Sequence, residues 1–158
     1  MQNLIGKYSR HSVWLFALGA VPLGIAAAYA TAGLGPKVTA AVYAGIVGLA
    51  GFASTFTTKA RTRGAVLAFL VAALAAAAVY YLVVSSVFET ATTTATDLAS
   101  GGQAHDAGKE AGSFFGRFFG AFAAVIAFLE TSIVGITGAV AGGKAKAQGG
   151  LQPQPARA

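Results

Sequence analysis

The stretch SFFGRFFGAFAAVIAFLETSIVGITGAVAG, residues 113–142, decides the fold class of this chain. As a helix it is long enough to cross a hydrocarbon core of about 30 Å. It lacks the alternating polarity of a membrane barrel strand. One carboxylate, Glu130, lies near its middle. An ionised acid at bilayer depth costs several kcal/mol, so Glu130 is expected to face protein or water and to have a use there.

At about 100° per residue, Gly116, Gly120, Ala123, Ala127, Glu130, Val134, Gly138 and Ala141 fall on one face of this predicted helix. Phe115, Phe118, Phe122, Val125, Leu129, Ile133, Ile136 and Val140 gather on the other side. Small residues let backbones approach closely, and van der Waals packing drives much of helix association in lipid. The small face is therefore expected to meet another helix, and the Phe-rich face lipid. Gly48 and Gly51, with Ala41 and Ala44, repeat the theme in an earlier apolar stretch.

Working outward, three more apolar stretches cover residues 12–34, 38–56 and 65–88. The chain has 158 residues, 56% of them hydrophobic and 10% charged, with a mean hydropathy of +0.67. A soluble domain carries about 25% charged residues, so the composition belongs to a membrane protein. The fold class predicted is an all-α integral membrane protein. Its four transmembrane helices form two antiparallel hairpins, the first closed by the turn Gly33-Leu34-Gly35-Pro36. The first stretch is read as a retained span, because Pro22 and Gly24 break the regularity of a cleaved leader.

The formal net charge of +6 sits mostly just outside the apolar stretches, which points to membrane orientation and away from nucleic acid. Lys7 and Arg10, then Lys59, Arg61 and Arg63, then Lys144 and Lys146 lie on one predicted side. Under the positive-inside rule both termini are cytoplasmic, in a cytoplasmic (inner or plasma) membrane. Residues 89–112, rich in Thr, Ala, Ser and Gly, read as a solvated connection or a short interfacial helix. Residues 144–158 read as a disordered basic and Pro-Gly tail.

Two short segments resemble each other, Ile46-Val47-Gly48-Leu49-Ala50-Gly51 and Ile133-Val134-Gly135-Ile136-Thr137-Gly138. Each is followed by a basic pair about an alanine, Lys59-Ala60-Arg61 and Lys144-Ala145-Lys146. A parallel duplication of a two-helix unit would produce this pattern, and so would chance in Gly- and Val-rich spans. Leu129-Glu130-Thr131 with Gly135 loosely resembles the carboxylate segment of the rotary ATPase proteolipids. The third stretch, with its bulky Tyr80-Tyr81, lacks that family's glycine ladder, and the predicted loop orientation is the reverse, so the family is not assigned.

Catalytic chemistry finds no foothold. His11 and His105 lie on opposite predicted sides, there are no cysteines, and no phosphate-loop, nucleophile or metal motif is present. No enzyme activity, cofactor or metal is expected. Glu130 keeps three readings: a hydrogen-bonded tie between helices, a proton or cation site, or a salt bridge to a partner chain. Arg117 is about 20 Å away along a helix and does not neutralise it. The expected function is a structural or assembly subunit that forms a homo-oligomer or docks on other membrane proteins through its small-residue helix faces. The alternative is a small proton or cation channel or carrier that uses Glu130.

Overall fold

The computed structural model describes Ile5 and residues 7–150. Its helices are α1 (Ser12–Ala30), α2 (Pro36–Phe56), α3 (Thr62–Ser100) and α4 (His105–Gly150), with a short 3-10 turn at Ala32–Leu34. All four α-helices are long and apolar enough to cross a membrane. The chain is thus an all-helical protein with the makeup of a multi-pass membrane protein.

Local chemistry sets where each helix stops. Thr31 ends α1 by turning its hydroxyl back to the carbonyls of Ala27 and Ala28, at 2.9 and 3.2 Å. Gly35 takes a φ of +99° that a side chain would disfavour, and Pro36 opens α2, where a missing N–H costs nothing. Gly101 and Gly102, with φ of 63° and 88°, terminate α3. The Gly102 N–H reaches the Asp97 carbonyl at 3.1 Å, the closing bond of a Schellman cap.

α3 and α4 run to 39 and 46 residues, well past the boundaries expected from hydropathy. Most of the segment 89–112, expected as a solvated connection or a short interfacial helix, is helical and belongs to α3 and α4 themselves. Its hydroxyls bond along their own helix, Thr93 to Glu89, Thr96 to Thr92 and Ser100 to Thr96, at 2.8–2.9 Å. They satisfy themselves without breaking it. α4 continues past residue 142 through Ala145, Lys146, Ala147 and Gln148, all good helix formers apart from the glycines beside them. Residues 151–158 of the expected tail lie outside the described residues.

The described chain divides into two compact units, one made of the residues up to 73 together with those from 130 onward, the other of residues 74–129. In the first unit α1 buries Val13, Ala17, Ala20 and Val21, and the start of α3 buries Ala65, Ala68, Phe69 and Ala72. The Phe69 ring occupies the space that a side chain at Gly135 of α4 would need. α2 and α4 meet backbone to backbone: a Cβ at Gly51 would strike the Gly135 carbonyl, and one at Gly138 the Gly48 carbonyl. A Cβ at Gly142 would strike the Phe52 carbonyl. The residue numbers rise together along both helices, so α2 and α4 run in the same direction.

In the second unit the contacts pair rising numbers on α4 with falling numbers on α3. Gly108 lies on Thr96, Gly112 on Glu89 and Thr92, Gly116 on Ser85, and Gly120 on Ser85 and Tyr81. A glycine every fourth residue keeps one side of α4 flat for this approach. Phe88 and Phe119 stack at 4.8 Å between ring centres. Asp97 and His105 pair at 2.8 Å across the turn, an exposed contact of modest worth.

Replacing Gly138 by Ala should lower stability by about 1–3 kcal/mol, because the added methyl meets backbone that has no rotamer to yield. Gly45→Ala, on the same α2 but with no atom within 4 Å of the new methyl, should leave stability unchanged or slightly raised. Thermal unfolding of both variants in mild detergent checks the pair.

Candidate functional site

Glu130 sits on α4 at the point where that helix enters the first unit. Its side chain is half-buried. Among the described residues it has neither a hydrogen-bond partner nor an ion-pair partner; the only ion pair described is His105 with Asp97. The polar work on either side of it is done by its neighbours. Thr131 is fully buried, and its hydroxyl shares a hydrogen bond of 2.7 Å with the Tyr43 hydroxyl of α2.

That bond begins a seam of polar ties that α4 makes with α2 and with the residues just after it. Thr55 donates to the Ala139 carbonyl at 2.7 Å, and Lys146 donates its Nζ to the Thr58 carbonyl at 2.6 Å. Between these ties lie the glycine contacts described above. Gly24 of α1 belongs to the same construction: its bare Cα leaves room for the Tyr43 ring, and a Cβ there would lie 2.8 Å from Tyr43 Cδ2. The ring is thereby held where its hydroxyl reaches Thr131. Ser132, also buried, has a side-chain oxygen with no partner among the described residues.

The positions singled out from the sequence fall into three groups. Gly48, Gly51, Val134 and Gly138 lie in the α2–α4 contact, with a Cβ at Gly48 placed 3.2 Å from Val134 Cγ1. Gly116 and Gly120 lie against Ser85 and Tyr81 of α3, while Ala127 is buried and Ala123 half-buried in that same unit. Ala141 is exposed and Glu130 sits at the rim. The reason is helical phase. In the first unit the packed line runs through Thr131, Gly135, Ala139 and Gly142, each one residue beyond Glu130, Val134, Gly138 and Ala141 of the line extrapolated from Gly116, and Gly138 is packed as well. Glu130, Thr137 and Ala141 therefore form an outward edge, with Thr137 and Ala141 exposed.

Sequence reasoning missed the Tyr43–Thr131 bond, the Thr55 and Lys146 ties, and the contribution of Gly108, Gly112, Gly135 and Gly142. The four-residue glycine spacing from Gly108 to Gly120 was a usable signal, hidden by assigning residues 89–112 to a loop. The Phe-rich side is largely exposed, including Phe118 at 65%, Phe122 at 63% and Ile133 at 62%, while Ile136 is half-buried. Chemically, one carboxylate at an apolar edge can accept a hydrogen bond, pair with a cation, or hold a proton. Among the described residues no three His, Cys, Asp or Glu side chains converge to hold a metal ion.

Thr131→Val keeps the shape of the side chain and removes its hydroxyl from the seam. Interhelical hydrogen bonds in membranes average about 0.6 kcal/mol and reach about 1.7, so a loss in that range is expected on unfolding in detergent. Thr137→Val, on the exposed edge, should have no such effect.

Comparison with protein families, with curated proteins and with solved structures returned no match for this chain.

Proposed function

We propose that this chain is a small structural or assembly subunit of a cytoplasmic membrane. In this reading its four helices form two antiparallel hairpins with both termini in the cytoplasm, and it oligomerises or docks on other membrane proteins. The observation that carries the proposal is the half-buried Glu130 carboxylate, which has no partner among the described residues of its own chain. A carboxylate at the apolar surface of a span is costly until something pairs with it, and a second chain supplies such a group. The sequence assigned docking to the small-residue faces. Gly48, Gly51 and Gly138, and separately Gly116 and Gly120, meet helices of the same chain. The edge of Glu130, Thr137 and Ala141 is left uncovered by the described residues, and it is the face proposed for a partner.

A second reading rests on the same carboxylate: a proton or cation carrier that loads Glu130. Against it stands the use of the buried hydroxyls. Tyr43, Ser54, Thr55, Thr58 and Thr131 all bond to backbone carbonyls or to each other. They act as ties between and within helices, which leaves Ser132 as the buried hydroxyl without a partner among the described residues.

Mass and cross-linking in mild detergent should give a complex larger than the 15.7 kDa chain. Glu130→Gln, which keeps shape and hydrogen-bonding capacity, should retain it. Glu130→Leu should weaken it by about 1–3 kcal/mol through a partner group left unpaired. Reconstituted vesicles should show no proton or cation flux. A robust current that Glu130→Gln abolishes would overturn the assembly role in favour of the carrier. The orientation has its own check, since the chain has no native cysteine. A cysteine at Gln103 should react with an impermeant reagent outside intact cells and one at Gln148 should not; the reverse pattern would invert the topology.

A further inference from the structure

Three segments far apart in the chain meet at one end of the first unit, and each brings positive charge without a carboxylate. Tyr8 donates its N–H to the Thr57 carbonyl and accepts from the Lys59 N–H, both at 2.9 Å, which fixes the residues before α1 against the connection between α2 and α3. Lys146 of α4 holds the same connection through the Thr58 carbonyl at 2.6 Å. The α4 backbone at Gly143 and Gly149 runs close to Thr62 and Ile5. Lys7, Arg10, Lys59, Arg61, Arg63 and Lys144 are all exposed at this end. None of them forms an ion pair among the described residues. The one Asp or Glu in this unit, Glu130, is about 24 Å from Lys146 along α4.

Like charges gathered at one end with no carboxylate among them repel, so this end carries an electrostatic load that its neutral hydrogen bonds oppose. An external anion relieves that load. The cluster lies at the ends of helices apolar enough to span a membrane, which puts it at headgroup depth, where basic residues meet lipid phosphates. We propose that this basic end is a binding surface for the headgroups of anionic phospholipids. Arg10, Arg61 and Arg63 offer planar forks that grip a phosphate through two hydrogen bonds, and the lysines add point charges. Lys146 positions the connection with one of its three donors, through the Thr58 carbonyl, and keeps its charge at this end. A zwitterionic headgroup carries its own cation and gains less from the site. The proposal rests on the membrane placement of the helices and is independent of the assembly role.

The test is lipid retention on the intact protein in mild detergent, read by native mass spectrometry. Equal amounts of phosphatidylglycerol and phosphatidylcholine are offered, with and without inorganic phosphate. Phosphatidylglycerol should be retained over phosphatidylcholine by more than about tenfold, with the preference weakening as salt is raised. Arg61→Gln and Lys59→Gln should each reduce it by about fivefold. Lys37→Gln, at the other end of α2, should not change it. Inorganic phosphate should fail to displace the lipid. Equal retention of the two lipids by the unmodified protein would overturn the proposal whatever the variants do. So would displacement by phosphate, which would mark a free-anion site, or an equal loss in Lys37→Gln.

Discussion

The contact between the α2 and α4 backbones constrains everything else in the first unit. Helices approach this closely only where side chains are absent, and Gly51, Gly138 and Gly142 supply that absence. Once the backbones touch, a short side chain is enough to tie them, which is why Thr55 reaches the Ala139 carbonyl; higher up, the longer Tyr43 side chain makes the crossing to Thr131. The approach also fixes rotation. With Thr131 and Gly135 turned inward, Glu130 has to stand at the rim, and its half-buried position follows from the packing of its neighbours.

The two resembling segments acquire a physical sense in this contact. Gly48 and Gly51 of one lie directly against Val134, Gly135 and Gly138 of the other. Two helices running in the same direction, each with small residues at matching heights, present complementary flat surfaces. The shared sequence and the shared height along the helix are two aspects of one requirement, and the basic pairs that follow both segments end up at the same end of the unit. The second unit solves the same problem in the opposite chain direction, with glycines on one helix only and Ser85, Tyr81 and Thr96 filling the other side.

The four apolar stretches were legible because hydropathy over some twenty residues is a local property. Size patterning at helical spacing is also local, and two of its positions, Gly116 and Gly138, lie against Ser85 and the Gly48 carbonyl. Two things were not legible. Residues 89–112 have the composition of a loop, yet they are largely helical because Gly108 and Gly112 bed onto the facing helix, a tertiary effect that composition cannot carry. The exact phase of α4 around Glu130 was lost for a related reason. A pattern extrapolated from Gly116 reaches Ala141, whereas the structure follows Gly142. The Tyr43–Thr131 bond joins residues with no relation in sequence and required the fold to be seen.

The most direct measurement of the α2–α4 contact is a disulfide between them, made simple by the absence of native cysteines. A Cβ at Gly48 lies 3.2 Å from Val134 Cγ1, with Val134 Cβ more than 4 Å away, which is toward the long end of the about 3.5–4.5 Å at which paired Cβ atoms bridge. Under mild oxidation in the membrane, cysteines at Gly48 and Val134 should form an intrachain bond. Cysteines at Gly45 and Val134 should not, because Gly45 has no neighbour within 4 Å. Failure of the first pair, or equal bridging by both, would contradict the backbone contact on which the rest of the structure depends.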